Sequence, residues 1–359
     1  MKRYKSSDIR NFAIVGHGAA GKTSLAEAML KLGGETNRLG KIEDGSTISD
    51  YHPGEKSRLI SIHATPLHLE WMEKKFNMID TPGYSDFIGE ATGSLSVVDL
   101  AIIAIHAVNG VEVGTETMWN QATKLGIPKM LVVNGLDREH TRFDEILAQA
   151  RRRFGNNVFP MQLPVNAGPG YNQNVDVLRT ELITYQTDGS GNMSESELPD
   201  DLKAKVKSLH EELIEFVAES DDSLLEKFFE QGRLTEEEMR SGIHQAIQDQ
   251  TFVPLFCTSA TSNIGVARVC DFISKYGSSP DDRKTVLAHD EQGNEVKVSL
   301  DGTETVLQIF KTMSESHSGE LSLFRVYSGQ VKTGTDYYNS NRNSNERFGQ
   351  MFILNGKNR

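Results

Sequence analysis

The protein has 359 residues, of which 37% are hydrophobic and 25% are charged, and its formal net charge is −12. This length and composition allow two or three soluble domains with their own cores, and they exclude a disordered or fibrous chain. The acidic balance argues against a protein that coats nucleic acid nonspecifically, because neutralising phosphates needs a surplus of Lys and Arg.

The cysteines and the longest apolar runs restrict the cellular setting. Cys257 and Cys270 are the only cysteines, and two thiols in apolar surroundings indicate neither a disulfide framework nor a zinc site. The apolar runs, such as residues 101–108, are only of strand length, too short for a signal-peptide core or a membrane span. We therefore expect a soluble, cytoplasmic protein without a membrane partner.

Apolar runs of strand length alternate with amphipathic, helix-patterned segments through the first part of the chain. Strands are predicted at residues 12–15, 76–79, 101–108, 129–133 and 252–257. This alternation is typical of an α/β fold with a mostly parallel sheet covered by helices.

The first predicted strand leads into Gly16-His17-Gly18-Ala19-Ala20-Gly21-Lys22-Thr23, which fits the phosphate-binding pattern G-x-x-x-x-G-K-[ST] of a P-loop. Leu25, Met29 and Leu32 follow at helical spacing, so the loop is predicted to open a helix. Backbone N–H groups of such a loop surround phosphate oxygens. Lys22 would neutralise the β- and γ-phosphates and the Thr23 hydroxyl would hold Mg²⁺; Ser24, the next residue, completes this part of the predicted nucleotide site.

The strand predicted at residues 76–79 ends in Asp80-Thr81-Pro82-Gly83. This turn would place the Asp80 carboxylate near Mg²⁺ and the Gly83 N–H near a γ-phosphate. Taken alone, the segment is more typical of a simple Pro-Gly turn after a strand. Its place at the same edge of the sheet as the phosphate loop, where ligands bind in open α/β folds, favours the nucleotide site.

Two further strand ends carry residues suited to a guanine base. Asn134-Gly135-Leu136-Asp137 resembles the N-K-x-D box, and Asp137 would accept hydrogen bonds from the guanine N1–H and 2-amino group, which adenine does not present. Ser259-Ala260 follows the last predicted strand, and the Ala260 N–H would support the base. The predicted guanine contacts are therefore Asn134, Leu136, Asp137, Ser259 and Ala260.

The pattern changes between residues of about 160 and 250, where a Gly/Asn-rich region precedes an acidic helical segment. Apolar residues recur there at helical spacing, namely Leu202, Val206, Leu209, Leu213 and Phe216. We interpret the region as a helical and β insertion before the last strand of the sheet.

Residues 277–283 combine glycine and proline, which interrupt helices and strands, with charged side chains, and this composition predicts a linker. The predicted domains are therefore 1–280 and 281–359. Strands expected at 305–311, 321–327 and 347–354, with Gly-containing turns that begin at Ser318-Gly319, predict a β-barrel in the second domain. The chain stops too soon after a strand to close such a barrel, so we expect an incomplete barrel and a fragment of a longer protein.

Taken with the predicted barrel segment at residues 319–329, these four boxes in this order resemble bacterial elongation factor G over essentially the whole chain, including the insertion. The resemblance implies a monomeric translational GTPase with GTP as substrate, GDP as product and Mg²⁺ as cofactor. It also implies the ribosome as partner, through ribosomal RNA and protein, and three further domains that are absent here.

Several positions depart from that family's pattern. Ser61 takes the place of the threonine that ligates Mg²⁺, Gly18 and Ala19 replace a bulky aliphatic residue and an aspartate, and Gly135 replaces the lysine of the guanine box. Tyr84 replaces the histidine that orients the attacking water, and a phenol donates a hydrogen bond but does not become a cation near neutral pH. These substitutions resemble a diverged second paralogue of the factor.

The sequence leaves two hypotheses of function open. In the first, the protein is a GTPase that acts on the ribosome during translocation, with Lys22, Gly83 and Tyr84 as catalytic residues. In the second, it is a GTP/GDP binding switch with little or no hydrolysis unless a partner supplies the missing group. For Tyr84 itself, the alternative role is that of an aromatic residue that only packs under the switch loop. The ribosomal-protection and release-stage GTPases share this domain and are further alternatives.

Overall fold

The computed structural model describes residues 2–290, 292–315 and 319–359, so the turn predicted at Ser318-Gly319 begins outside the described residues. The helices are α1 (Lys22–Leu32), α2 (Pro53–Arg58), α3 (Ile88–Leu95), α4 (Val113–Lys124), α5 (Phe143–Phe154), α6 (Asp200–Ala218), α7 (Asp222–Gln231), α8 (Glu236–Gln248) and α9 (Val266–Tyr276). The strands are β1 (Ile9–Gly16), β2 (Thr65–Trp71), β3 (Lys74–Asp80), β4 (Leu100–His106), β5 (Lys129–Asn134), β6 (Val158–Pro160), β7 (Gln162–Pro164), β8 (Gln173–Asp176), β9 (Glu181–Tyr185), β10 (Met193–Ser196), β11 (Val253–Thr258), β12 (Thr285–His289), β13 (Glu295–Ser299), β14 (Val306–Glu315), β15 (Gly319–Ser328), β16 (Asp336–Asn339) and β17 (Ser344–Arg347).

The main sheet has the strand order β2-β3-β1-β4-β5-β11-β6. Every neighbouring pair is parallel except β2 and β3, which run antiparallel. The prediction of an α/β fold with a mostly parallel sheet is therefore confirmed. Each residue of β4 is buried, which is why that strand is a continuous apolar run.

Two strands at the edges of this sheet were not predicted. In β2, buried residues alternate with more exposed ones such as His68 and Glu70, because one face of this strand is only partly covered. At the other edge, β6 has only three residues, too few for a periodic signal.

The insertion predicted between the guanine box and β11 is present. Its strands form a separate sheet in the order β10-β9-β8-β7, and α6, α7 and α8 follow it. Val206 and Leu213 of α6 are fully buried, and Leu202, Leu209 and Phe216 pack against the same core. The helical spacing of these five residues thus predicted the buried face of α6.

The part of the chain after residue 284 forms three two-stranded sheets, β12-β13, β14-β15 and β16-β17. These hairpins do not close into a barrel. The strand predicted at residues 347–354 is wrong beyond Arg347, where β17 ends. The backbone turns instead toward β2, where the Gly356 N–H donates to Pro66 O at 3.0 Å and the His68 N–H donates to Asn355 Oδ1 at 3.2 Å. The predicted domain boundary after residue 280 stays a prediction.

In the described part of the chain, no helix combines the length and apolar character that crossing a bilayer requires.

Candidate nucleotide-binding site

The phosphate-loop residues connect β1 to α1 at the carboxyl edge of the main sheet. β1 ends at Gly16, whose φ of 140° and close approach to Ala104 O, 2.5 Å from where a Cβ would lie, require glycine. Gly21 precedes α1 with a φ of 83°, and Ala19 has a φ of 60°. The chain therefore folds into a tight loop immediately before the positive end of a helix.

Lys22 lies inside this loop and is only 5% exposed. Its Nζ donates a hydrogen bond to His17 O at 2.7 Å. Burial lowers the pKa of Lys22 to about 8, although Asp80 and Asp50 act in the opposite direction. The ammonium is thus poorly solvated, which strengthens its interaction with any anion that enters the loop.

His17 contributes its backbone rather than its ring to the loop. The imidazole faces the start of α4, where its Nδ1 accepts a hydrogen bond from the Gly114 N–H at 3.2 Å. Ser24 is half-buried in the first turn of α1.

The turn after β3 packs directly on the phosphate loop. A Cβ on Gly83 would lie 2.6 Å from His17 O and 2.7 Å from Gly18 N, and closer still to Lys22 Nζ. A side chain at position 83 would therefore separate the two segments. The structure thus brings the predicted catalytic residues Lys22 and Gly83 together.

Tyr84 lies over the same loop with its side chain 45% exposed. Its ring carbons are 3.2 Å from the position that a Cβ on Gly18 would occupy. The absence of a side chain on Gly18 therefore makes room for the phenol, so these two departures from the family's pattern form one contact.

The hydroxyl groups of Thr23 and Ser61 lie 3.0 Å apart. Two neighbouring ligands of an octahedral Mg²⁺ with metal–oxygen distances of about 2.1 Å are separated by about 3.0 Å, so this spacing fits the ion. The buried Asp80 supplies a carboxylate next to this pair, and burial raises its pKa. Among the described residues, no three His, Cys, Asp or Glu side chains are grouped in a way that could hold a metal.

The segment that carries Ser61 is held by Glu55, and Ser49 nearby binds Asp80; sequence analysis identified neither Glu55 nor Ser49. Glu55 Oε1 accepts hydrogen bonds from the N–H groups of Ile62 and His63, both at 3.0 Å. Ser49 Oγ donates to Asp80 Oδ2 at 2.6 Å. No local pattern marks these residues, because each acts on a partner that is distant in the sequence or lies outside a regular element.

Two more buried carboxylates surround this segment. Burial, followed by the charge of Asp80, raises the pKa of Asp50 to about 7. Burial likewise raises the pKa of Glu27 to about 7, although Glu27 accepts hydrogen bonds from the Ile48 and Ser49 N–H groups. The region beside Thr23 is therefore rich in buried acidic groups, a setting that favours a cation.

Asn134 joins three of the predicted boxes. Its Nδ2 donates to Ala20 O at 3.2 Å and to Gly21 O at 3.3 Å in the phosphate loop. Its Oδ1 accepts from the Ala260 N–H at 2.9 Å. The N–H that sequence analysis assigns to the base thus orients Asn134 in the structure.

Asp137 lies at the end of the same loop. Its Oδ2 accepts a hydrogen bond from Ser262 Oγ at 3.3 Å, a partner that was not predicted. Its Oδ1 is buried and has no hydrogen-bond partner within the described part of the chain. A buried acceptor of this kind favours a ligand that donates hydrogen bonds. Leu136 and Ser259, two further residues of the predicted guanine site, are fully buried.

Comparisons with known proteins agree with this geometry. Residues 7–279 match the model of a family described as the elongation factor Tu GTP binding domain. The chain is 35% identical over 355 residues to Elongation factor G of Salinibacter ruber (strain DSM 13855 / M31), covering 98% of this chain and 50% of that protein. A crystal structure of a protein from Thermus thermophilus has a TM-score of 0.85 at 29% identity, again covering 98% of this chain and 50% of the other. The chain thus spans about half the length of these relatives.

Proposed function

The chain belongs to the family of the elongation factor Tu GTP-binding domain, and from that premise we propose that it binds GTP and GDP and hydrolyses GTP on the ribosome during translocation. The observation that carries the proposal is the position of Asn134, whose side chain bonds to the phosphate loop and to Ala260 at once. The segments suited to phosphate and to guanine therefore form one continuous site. We further propose a cytoplasmic monomer.

Selection of guanine is assigned to Asp137. The buried Oδ1 would accept hydrogen bonds from the guanine N1–H and 2-amino group. Adenine lacks both donors on that edge, so an adenine nucleotide would leave a buried carboxylate oxygen unpaired.

Phosphate binding and metal binding are assigned to neighbouring residues. Lys22 would move from His17 O to the β- and γ-phosphate oxygens, and the poor solvation of its ammonium would strengthen that contact. Thr23 and Ser61 would hold Mg²⁺, with Asp80 beside them. Mg²⁺ held by these residues would help to neutralise the negative charge of the phosphate oxygens.

Hydrolysis is assigned to the contact between the Gly83 turn and the phosphate loop. The backbone of Gly83 would position the γ-phosphate, and the Tyr84 hydroxyl would orient the attacking water. Tyr84 can touch this water but adds no positive charge near the transferring phosphoryl group. This supports a second candidate function, a GTP/GDP switch that hydrolyses little unless a partner supplies the missing group. Single-turnover hydrolysis of GTP, measured with and without ribosomes, separates the two functions.

The experiment that tests nucleotide binding is calorimetric titration of the chain with GDP, GTP and ATP. We expect ATP to bind about a thousandfold more weakly than GTP, because a site built to hydrogen-bond its ligand rejects an analogue without the donors. Asp137→Asn should shift the preference toward xanthine nucleotides, since the amide donates to the 2-oxo group. Asp144→Asn, an exposed change in α5, is the control. Equal affinities of the unaltered chain for ATP and GTP would contradict the proposal.

A further inference from the structure

Gly135, which has no side chain, lies within residues 134–137, the segment predicted to bind guanine. It is buried, it has a φ of 86°, and it stands where the related family has a lysine. The space into which a side chain on this residue would project is not empty. Arg138 fills it, with Nε, Cδ and Cγ at 3.3, 3.4 and 3.8 Å from the position that a Cβ on Gly135 would occupy.

The fold of the loop accounts for this placement of Arg138. Its backbone N–H donates to Gly135 O at 3.1 Å, so the chain turns back and directs the side chain over the glycine. At its far end, Nη1 of Arg138 lies 3.0 Å from His106 Nε2.

His106 is itself held in place. It is only 8% exposed, and its Nδ1 accepts from the N–H groups of Val108 and Asn109 at 3.2 and 3.3 Å. The backbone hydrogen bond to Gly135 O and the contact with His106 fix the position of Arg138, although the residue as a whole remains exposed to solvent. Because Nδ1 of His106 accepts, its Nε2 carries the ring proton, so this contact is a close approach of the guanidinium to the ring and not a hydrogen bond.

We propose that Arg138 covers one face of the guanine base whose edge Asp137 recognises, and so takes the place of a side chain on residue 135. This inference rests on the proposed function. The turn formed by residues 135–138 contains Asp137. A base whose edge is hydrogen-bonded to Asp137 would therefore have this turn, and the Arg138 side chain on it, next to its ring. A guanidinium group is planar and weakly hydrated, which makes it a good partner for a flat π-system.

Stacking on a ring has a consequence that distinguishes it from edge recognition. Inosine diphosphate has the same bicyclic face as GDP but lacks the 2-amino group. Arg138 should therefore contribute equally to the affinity for GDP and for inosine diphosphate, whereas the contribution of Asp137 is smaller for inosine diphosphate because one donor is missing.

The test measures dissociation constants of GDP and inosine diphosphate by calorimetry for the full chain and for Arg138→Ala. We expect both affinities to fall by the same factor, about 10- to 100-fold, as for the loss of a stacking side chain. The factor should be the same at low and high salt, because stacking is not screened as a long-range charge is. Arg142→Ala is the matched control, since Arg142 is exposed and pairs only with Glu145 among its described contacts.

Each other outcome has a defined meaning. If the unaltered chain binds no guanine nucleotide, the proposed function fails. If it binds GDP and Arg138→Ala changes the affinity less than twofold, only the present inference fails. The inference is also wrong if the loss disappears at high salt or affects GDP alone. Arg138→Gln, which keeps a polar side chain but not the guanidinium plane, should lose affinity like Arg138→Ala, and its melting temperature without nucleotide checks the fold.

Discussion

The main sheet and the hairpins after residue 284 are built from similar β-branched and aromatic residues, yet they differ in what covers them. Each residue of β4 is buried, and the core of the first region contains residues from every strand of its sheet. Among the described residues after Ile273, in contrast, no hydrophobic side chain is fully buried. Strand-forming residues alone therefore do not make a stable sheet; a covering layer is also needed.

Polar and charged side chains of the second region, the hairpins after residue 284, bind to residues of the first region. Arg325 Nη2 donates to Asp99 Oδ2 at 2.9 Å, and Lys311 Nζ donates to Glu90 Oε2 at 2.5 Å and to Ala64 O at 3.0 Å. Ala64 follows the segment of Ser61, and Glu90 belongs to α3. Charged groups beside the candidate nucleotide site thus take part in attaching the second region, together with Phe310, which packs against the core, and with the contacts of Asn355 and Gly356 to β2.

The comparison predicts its largest effect for Lys22→Ala. Nucleotide binding belongs to the first region, and removing a buried ammonium should weaken GDP affinity by about a hundredfold to several thousandfold. Lys332→Ala, an exposed change in the second region, should leave the affinity unchanged. Calorimetric titration checks both.

Because the pKa of Lys22 is about 8, the affinity of the unaltered chain should also fall as the pH rises above 8, where the amine loses its charge. Unchanged binding by Lys22→Ala would show that the phosphate loop is assigned wrongly.

The second prediction compares two isoleucines of equal size. Ile103 in β4 is not exposed, so Ile103→Ala should lower the free energy of unfolding by about 2–5 kcal/mol through lost burial and a cavity. Ile309 in β14 is 40% exposed, so Ile309→Ala should cost less than about 1 kcal/mol. Urea unfolding of both variants provides the measurement. Similar costs at the two positions would mean that the hairpins bury as much apolar surface as the sheet does.

The same contrast explains how far the fold was predictable. The strands at the centre of the main sheet were predicted with ends that differ by at most three residues, because burial on both faces makes them continuous apolar runs. The edge strand β2 and the short β6 were missed because partial cover and short length remove that signal. The strand at residues 347–354 was wrong beyond Arg347, since its apolar residues Phe352 and Ile353 remain about 40% exposed.

The residues of the candidate site also fall into two groups: those with a local signal in the sequence and those whose role appears only in the folded chain. The phosphate loop and the turn at Gly83 could be proposed from sequence because their signal is local: glycines and a lysine at fixed spacing. The roles of Glu55 and Ser262 depend on partners that only folding brings close, so no residue spacing in the sequence predicts these roles. Ser61 was identified only through the resemblance to a known family.

The third prediction concerns the attachment of the second region. Arg325→Met keeps an unbranched apolar stem but leaves Asp99, which is 4% exposed, without its guanidinium partner. We expect a cost of about 1–3 kcal/mol, because an unpaired buried charge is unfavourable although Asn11 still donates to Asp99. Arg342→Met, at an exposed arginine within β16-β17, is the control. Limited proteolysis should show earlier cleavage after residue 284 in Arg325→Met alone; equal cleavage would show that this ion pair does not hold the region.

The smallest expected effect lies at the junction of the two regions, where His244 of α8 meets Asp282. His244 Nε2 lies 3.0 Å from Asp282 Oδ1, and this hydrogen bond raises the pKa of His244 above its ordinary value. Burial alone would raise the pKa of Asp282, but the contact with His244 and the Ser279 N–H lowers it overall. The contribution of a raised histidine pKa is fully present below the unfolded value of about 6.5 and is lost as the pH rises through the folded value. The contribution of the lowered aspartate pKa is present above about pH 4 and is lost at more acid pH.

The pair should therefore stabilise the protein most between about pH 4 and 6.5, where both groups are charged. Since both side chains are partly exposed and screened by solvent, its contribution should stay below about 1 kcal/mol. Urea unfolding at pH 6 and pH 8 should show that His244→Gln costs more at pH 6 than at pH 8, whereas His289→Gln, at an exposed position in β12, has the same small effect at both. A pH-independent cost of His244→Gln would mean that its hydrogen bond to Tyr276 O, and not its charge, fixes the junction.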